Sequence, residues 1–233
     1  MANRQSPQDD WIYNQVFAAI LEQRLIPGAK LTEVALCDIF GVSRTTIRRV
    51  LLRLSLDKVV ELRPNRGDVI AEPLADDVRQ IFAARRLLEN GVVADAARHC
   101  TKSDSTTLKE IVARENACIG SGDRSGAIRQ SGEFHLEIAR IAGNTPLHEL
   151  LRQLVAQTSL AIALYEAPGH LLCVEDDHQD IVTAVSAGEV EKSAALMEAH
   201  LRNCESQLRL ETPEETNDLR AVFADLLKDR ISA

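Results

Sequence analysis

Ile47, Val50, Leu51 and Leu54 recur at the spacing of a helix that buries one side. Upstream, Ile12, Val16, Ala19 and Ile20 trace an amphipathic helix that starts at Asp10 and is ended by Pro27-Gly28. Thr32 is placed to cap a short helix reaching Phe40, Gly41 suits a turn that needs left-handed backbone, and Ser43 is a natural cap for the helix that follows. Helix, tight turn, helix is the resulting order. Beyond Leu54 the period shortens. Val59-Val60-Glu61-Leu62 and Asp68-Val69-Ile70-Ala71 read as two short strands joined by the turn Arg63-Pro64-Asn65-Arg66-Gly67, a hairpin placed as a wing.

This pattern predicts an unstructured residue 1–9 segment and a winged helix-turn-helix, three helices plus a β-hairpin, over residues 10–72. Residues 73–77 form a linker broken by Pro73. Every segment from Val78 to residue 212 then reads as helix, with breaks at Thr101–Asp104, Gly120–Asp123, Gly143–Pro146, Pro168-Gly169 and Gly188, giving an antiparallel bundle. Leu219, Val222, Phe223, Leu226 and Leu227 predict a last amphipathic helix within 213–233. The fold class is mainly α.

Composition agrees with helices packed on helices: 45% of the 233 residues are apolar and only 3% aromatic. The net charge of −8 argues at first against nucleic acid, but its distribution reverses that conclusion. Residues 1–70 carry +2 and the remainder −10, so the acid belongs to the bundle. Cys37, Cys100, Cys118, Cys173 and Cys204 are odd in number and form no Cys-x-x-Cys, which predicts reduced structural thiols and a cytoplasmic protein. No apolar run approaches a membrane span.

Candidate chemistry falls in two places. Arg44, Thr45, Thr46, Arg48 and Arg49 stand at the start of the second helix of the helix-turn-helix, the end that enters a major groove. Guanidinium groups and hydroxyls there can reach base edges or phosphates. Arg63, Asn65, Arg66 and Gly67 at the wing can reach phosphate or minor groove. Solvated arginines on an ordinary surface helix and loop are the competing reading. In the bundle, His135, His178 and His200 share helical stripes with apolar residues, and three such imidazoles could converge on one divalent metal. Each could equally be a buried histidine satisfied by one hydrogen bond.

The order Ile26-Pro27-Gly28-Ala29-Lys30-Leu31-Thr32-Glu33, then Phe40-Gly41-Val42-Ser43-Arg44-Thr45-Thr46-Ile47-Arg48, then the wing, resembles the winged helix-turn-helix of GntR-family bacterial regulators over residues 11–72. The resemblance implies that Arg44 and Arg48 contact DNA and that Gly67 is the wing-tip glycine. Val34 stands where members carry arginine, and Arg49, where many carry glutamate, is a candidate to compensate.

The bundle, with Phe134-His135, Asp177-His178 and His200-Leu201, resembles the FCD effector domain of the FadR subgroup. That resemblance implies Zn or Ni held by His135, His178 and His200, but with Ser131 at the position of the expected aspartate, a weak neutral ligand. Arg85 and Glu89 match an Arg-x-x-x-Glu pattern. Arg85 then clamps the carboxylate of a small acidic effector, or it merely steadies its helix through Glu89. Cys100, Cys118, Cys173, Cys204, Trp11 and the two methionines are taken as structural.

These readings combine into a regulator, a homodimer on double-stranded operator DNA. A small carboxylate bound among Arg85, Ser131, His135, His178 and His200 would control it, and repression relieved by ligand is the sign the resemblance implies. An effector-free DNA-binding protein and a metal-dependent hydrolase are the alternatives; no His-Glu-x-x-His or Gly-x-Ser-x-Gly supports the hydrolase.

Overall fold

The computed structural model describes residues 6–63, 67–166 and 177–210. The chain opens with α1 (Pro7–Leu21), capped by Ser6, whose hydroxyl accepts from the Asp9 amide, with Pro7 at the first helical position where its missing N–H costs nothing. Pro7 to Asp9 are therefore helical rather than part of an unstructured 1–9 segment; cap and proline both lie upstream of the apolar stripe that set the expected start.

β1 (Lys30–Leu31) precedes α2 (Glu33–Phe40), which Thr32 caps and Gly41 ends in left-handed backbone at φ 65°. α3 (Arg44–Leu56) follows from its Ser43 cap. β2 (Val60–Glu61) and β3 (Asp68–Ile70) form the wing. The sheet order is β1-β3-β2, antiparallel throughout, with Lys30 opposite Val69 and Val60 opposite Ile70. The sequence-based hairpin thus gains a third strand, too short for alternation to reveal. Ile47, Val50, Leu51 and Leu54 are all buried against α1 and the sheet, each contributing roughly 1.5–3 kcal/mol.

The bundle comprises α4 (Ala75–His99), α5 (Lys102–Ser121), α6 (Arg124–Ala142), α7 (Thr145–Tyr165), α8 (Asp177–Ser186) and α9 (Val190–Ser206). α4 packs against α6, α7, α8 and α9 and is the central helix. It begins inside the expected linker, with Asp76 and Asp77 in its first turn, favourably placed at a helix N-terminus, and it runs unbroken through Gly91. α5 is longer than its apolar stripe because Thr101 and Asp104 close a capping box at its start. The expected last helix of 213–233 and the start of the eighth at Val174 lie outside the described residues.

The two parts share core. Ala156 and Leu160 of α7 pack into the apolar cluster of the winged part, while Leu21 of α1 packs with Val78, Phe82 and Ile128. Asp57, at the C-terminal end of α3 and fully buried, accepts from the Tyr13 hydroxyl at 2.8 Å and from Arg152 of α7 at 2.6 and 2.7 Å. α7 is therefore a strut from the bundle interior to the end of α3.

Candidate functional site

At the winged end, Arg44, Thr45, Arg48 and Arg49 are exposed on the first turns of α3. Thr46 is not. It is buried, its amide donates to Ser43 Oγ at 3.2 Å, and its own hydroxyl lies 3.1 Å from the same atom, so it belongs to the cap rather than to the outer face. Arg48 pairs with Glu33 at 2.7 Å on the surface, a contact that a phosphate can displace because both groups stay solvated. Arg49 donates two hydrogen bonds to Asp9, at 2.8 and 3.0 Å, and compensation for Val34 would have to compete with that carboxylate.

Between α3 and the wing runs a groove of about 490 Å³ lined by Thr32, Glu33, Arg48, Arg63 and Gly67. Arg63 is exposed and pairs with Glu61 at 2.7 Å. Gly67 holds φ 81°, left-handed backbone that favours glycine at the wing. Asn65 and Arg66 lie outside the described residues.

In the bundle, α6, α8 and α9 bring His135, His178 and His200 together. All three are buried, and one ring nitrogen of each lies within 4.8 Å of the others. Each Nδ1 faces a carboxylate: His135 to Glu89 at 2.5 Å, His178 to Glu115 at 2.6 Å, and His200 to Asp177 at 3.5 Å, an ion-pair distance rather than a hydrogen bond. Carboxylates at Nδ1 hold the proton there and leave Nε2 as the donor nitrogen. The Nε2 atoms of His178 and His200 lie 3.1 Å apart. At that distance either one ring donates an Nε2–H to the other or a metal ion stands between them. The donor set of three imidazoles with carboxylates behind them therefore fits a borderline-soft divalent metal.

Burial pushes His135 down to about 3 despite Glu89, and burial together with His200 lowers His178. At His200 burial also opposes charge, but Cys204 and Asp177 outweigh it and raise the group to about 10. Glu89 is held at about 2: burial works against its charge, and Arg85 and His135 more than compensate.

Arg85 is buried beside this cluster. Its Nε donates to Glu89 at 2.6 Å and its Nη1 to Thr158 Oγ1 of α7 at 2.9 Å, while its Nη2 is buried with no partner among the described residues. The helix-steadying pair exists, and one donor is left over for something else. Ser131 is half-buried one turn before His135 on α6. The carboxylates Glu115 and Asp177 and the hydroxyl of Thr158 escaped sequence reasoning. Asp177 adjoins His178 in sequence yet serves His200, and only helix packing brings Glu115 under His178.

Two family models match, the gntR family of bacterial regulatory proteins over residues 9–70 and the FCD domain over residues 80–203. The chain belongs to the GntR family and carries an FCD domain. As a GntR regulator it is a DNA-binding protein of transcription, and its relatives are regulators rather than enzymes. The HTH-type transcriptional regulator LutR of Bacillus subtilis is 30% identical over 79% of this chain and 93% of its own. The Uxu operon regulator of Haemophilus influenzae is 29% identical over 78% of this chain and 74% of its own. Among solved structures, E. coli McbR/YncC superposes with a TM-score of 0.74 at 21% identity, covering 85% of this chain and 95% of the other, a likeness of fold. No helix among the described residues is long and apolar enough to cross a membrane.

Proposed function

We propose that this GntR regulator binds its operator as a cytoplasmic homodimer and that a small carboxylate, together with Zn or Ni, sets its operator affinity from inside the FCD domain. The observation that carries the effector reading is Arg85 Nη2, a buried guanidinium donor with no partner among the described residues, beside three imidazoles whose ring nitrogens lie within 4.8 Å of one another. His135, His178 and His200 would hold the metal, which when bound supplies a Lewis-acid anchor for a carboxylate oxygen. Arg85 supplies the matching guanidinium contact.

Coupling runs through this chain's own side chains. A carboxylate taken at Arg85 Nη2 draws on the same guanidinium that holds Glu89 and Thr158, and Thr158 belongs to α7. Because α7 also carries Arg152 on Asp57, a shift in α7 moves the end of α3. Dimerisation follows from operator reading, since one recognition helix spans too few base pairs for specificity. Leu87 on α4, 85% exposed, and Leu150 on α7 offer apolar surface for a second copy. Ligand that releases the operator, and so relieves repression, is the sign we assign.

The reading is tested by isothermal titration of chelator-stripped, tag-free protein with Zn and then with a panel of small mono- and dicarboxylates, each repeated on Arg85→Gln. Carboxylate binding in the unmodified protein that Arg85→Gln loses supports it. No heat from any carboxylate, with or without Zn, would leave an effector-free DNA-binding protein.

A further inference from the structure

Cys204 stands one turn after His200 on α9, so the two side chains share a face. It is buried, and its Sγ lies 3.7 Å from His200 Nε2 and 3.9 Å from Nδ1. His200 Nε2 is in turn 3.1 Å from His178 Nε2. The thiol therefore flanks the ring whose Nε2 faces His178.

The usual bond lengths for tetrahedral zinc place two nitrogen ligands about 3.3 Å apart and a nitrogen and a sulfur about 3.6 Å apart. The His178–His200 nitrogen separation and the Cys204–His200 sulfur–nitrogen separation lie close to those values. The charge balance is equally specific. As metal ligands the three imidazoles are neutral donors, Ser131 offers only a hydroxyl, and Glu89, Glu115 and Asp177 are engaged at the Nδ1 side, away from the facing Nε2 atoms. A divalent cation on the Nε2 side would meet no anion directly, except from Cys204.

We propose that Cys204 is the fourth protein ligand of the cation held by the three histidines, making the centre a three-nitrogen, one-sulfur site. The inference rests on the metal reading above. Binding needs rotation about the Cys204 Cα–Cβ bond toward the Nε2 side. The proton between the facing Nε2 atoms leaves as the metal–nitrogen bonds form, the Cys204 S–H bond breaks as the metal–sulfur bond forms, and both protons go to solvent, so the dication and the thiolate together leave one positive charge on the site. A sulfur ligand selects for zinc or cobalt over magnesium and manganese.

The test uses full-length, chelator-stripped, tag-free protein titrated with Co²⁺ and followed by absorption. Visible ligand-field bands report cobalt bound in the cluster, and a near-ultraviolet thiolate-to-cobalt charge-transfer band reports a sulfur ligand. The expected result is both bands in the unmodified protein and in Cys37→Ser and Cys118→Ser. Cys204→Ser and Cys204→Ala, shown folded by circular dichroism, would keep the visible bands, lose the charge-transfer band, and bind Zn²⁺ at least tenfold more weakly. Visible bands without the charge-transfer band in the unmodified protein, or a band unchanged in Cys204→Ser, would overturn the sulfur ligand while leaving the histidine site standing. No visible bands in any variant would remove the histidine site itself, and the sulfur ligand with it.

Discussion

Arg152 and Asp57 join the sensor half to the reading half: a guanidinium on α7 donates to both oxygens of a fully buried carboxylate at the end of α3. Tyr13 adds a third hydrogen bond, and burial followed by the charge of Asp57 holds its hydroxyl protonated well above the usual tyrosine range. Removing Arg152 leaves Asp57 with one hydrogen bond. Arg152→Ala is expected to lower stability by about 3 kcal/mol, the low end of the range for breaking a buried pair because Arg152 is partly solvated. Urea denaturation measures this. The same variant is expected to keep duplex binding while losing most of its response to ligand.

On the outer face of α3, Arg44→Ala and Arg48→Ala are each expected to weaken operator binding and to reduce the slope of log affinity against log salt by about 1. Thr46→Ala should leave that slope unchanged and cost about 1 kcal/mol of stability, because Thr46 supports the Ser43 cap. Arg49→Ala separates its two roles. Since Arg49 is held by Asp9, the variant should lose stability with an unchanged salt slope, and a smaller slope would show that Arg49 leaves Asp9 for DNA.

Acid is expected to destabilise the metal-free protein through the histidine cluster. His135 ionises near 3 in the folded chain against 6.5 ordinarily, so between those values the unfolded chain binds a proton that the folded one refuses. Stability therefore rises with pH from about 3 to 6.5. Glu89, depressed to about 2 from 4.5, acts in the same direction, its contribution fully present above 4.5 and lost as pH falls through 2. His200, raised to about 10, contributes below 6.5 and loses that contribution as pH rises through 10. Thermal melts of chelated protein across this range should show the acid slope, and His135→Gln, which carries no titrating proton, should reduce it, most clearly between 4.5 and 6.5 where Glu89 no longer contributes.

Ser131 provides a gain-of-affinity test. Ser131→Asp places a carboxylate one turn before His135 and is expected to tighten Zn²⁺ binding by tenfold or more, as measured by chelator competition. An unchanged affinity would mean that position 131 does not face the bound ion.

Much of the architecture was legible because local chemistry and packing agree. Gly41, Ser43 and the Ile47–Leu54 stripe each act over a few residues, and the structure realises the helix-turn-helix they imply. β1 was not legible, because two residues cannot alternate visibly and its pairing with β3 is a tertiary event. The histidines were legible as inward positions on separate helices. Their carboxylates were not, since Glu115 reaches His178 across 63 residues. Thr46 looked like part of the reading face because helical phase alone does not tell a cap-supporting hydroxyl from a solvent-facing one. Cys204 shared the stripe of His200, but a buried cysteine on an apolar stripe is ordinary core until a second donor is found beside it.

The central claim is that ligand held in the FCD bundle changes how the winged end grips DNA. It is tested most directly by measuring the affinity of full-length protein for duplexes from its own upstream region. The measurement is made on chelator-stripped and Zn-loaded protein, with and without a carboxylate that titration has shown to bind, and in parallel on Arg152→Ala. The account expects sequence-specific binding that weakens on loading in the unmodified protein and barely changes in Arg152→Ala. Operator affinity indifferent to loading in the unmodified protein would contradict it.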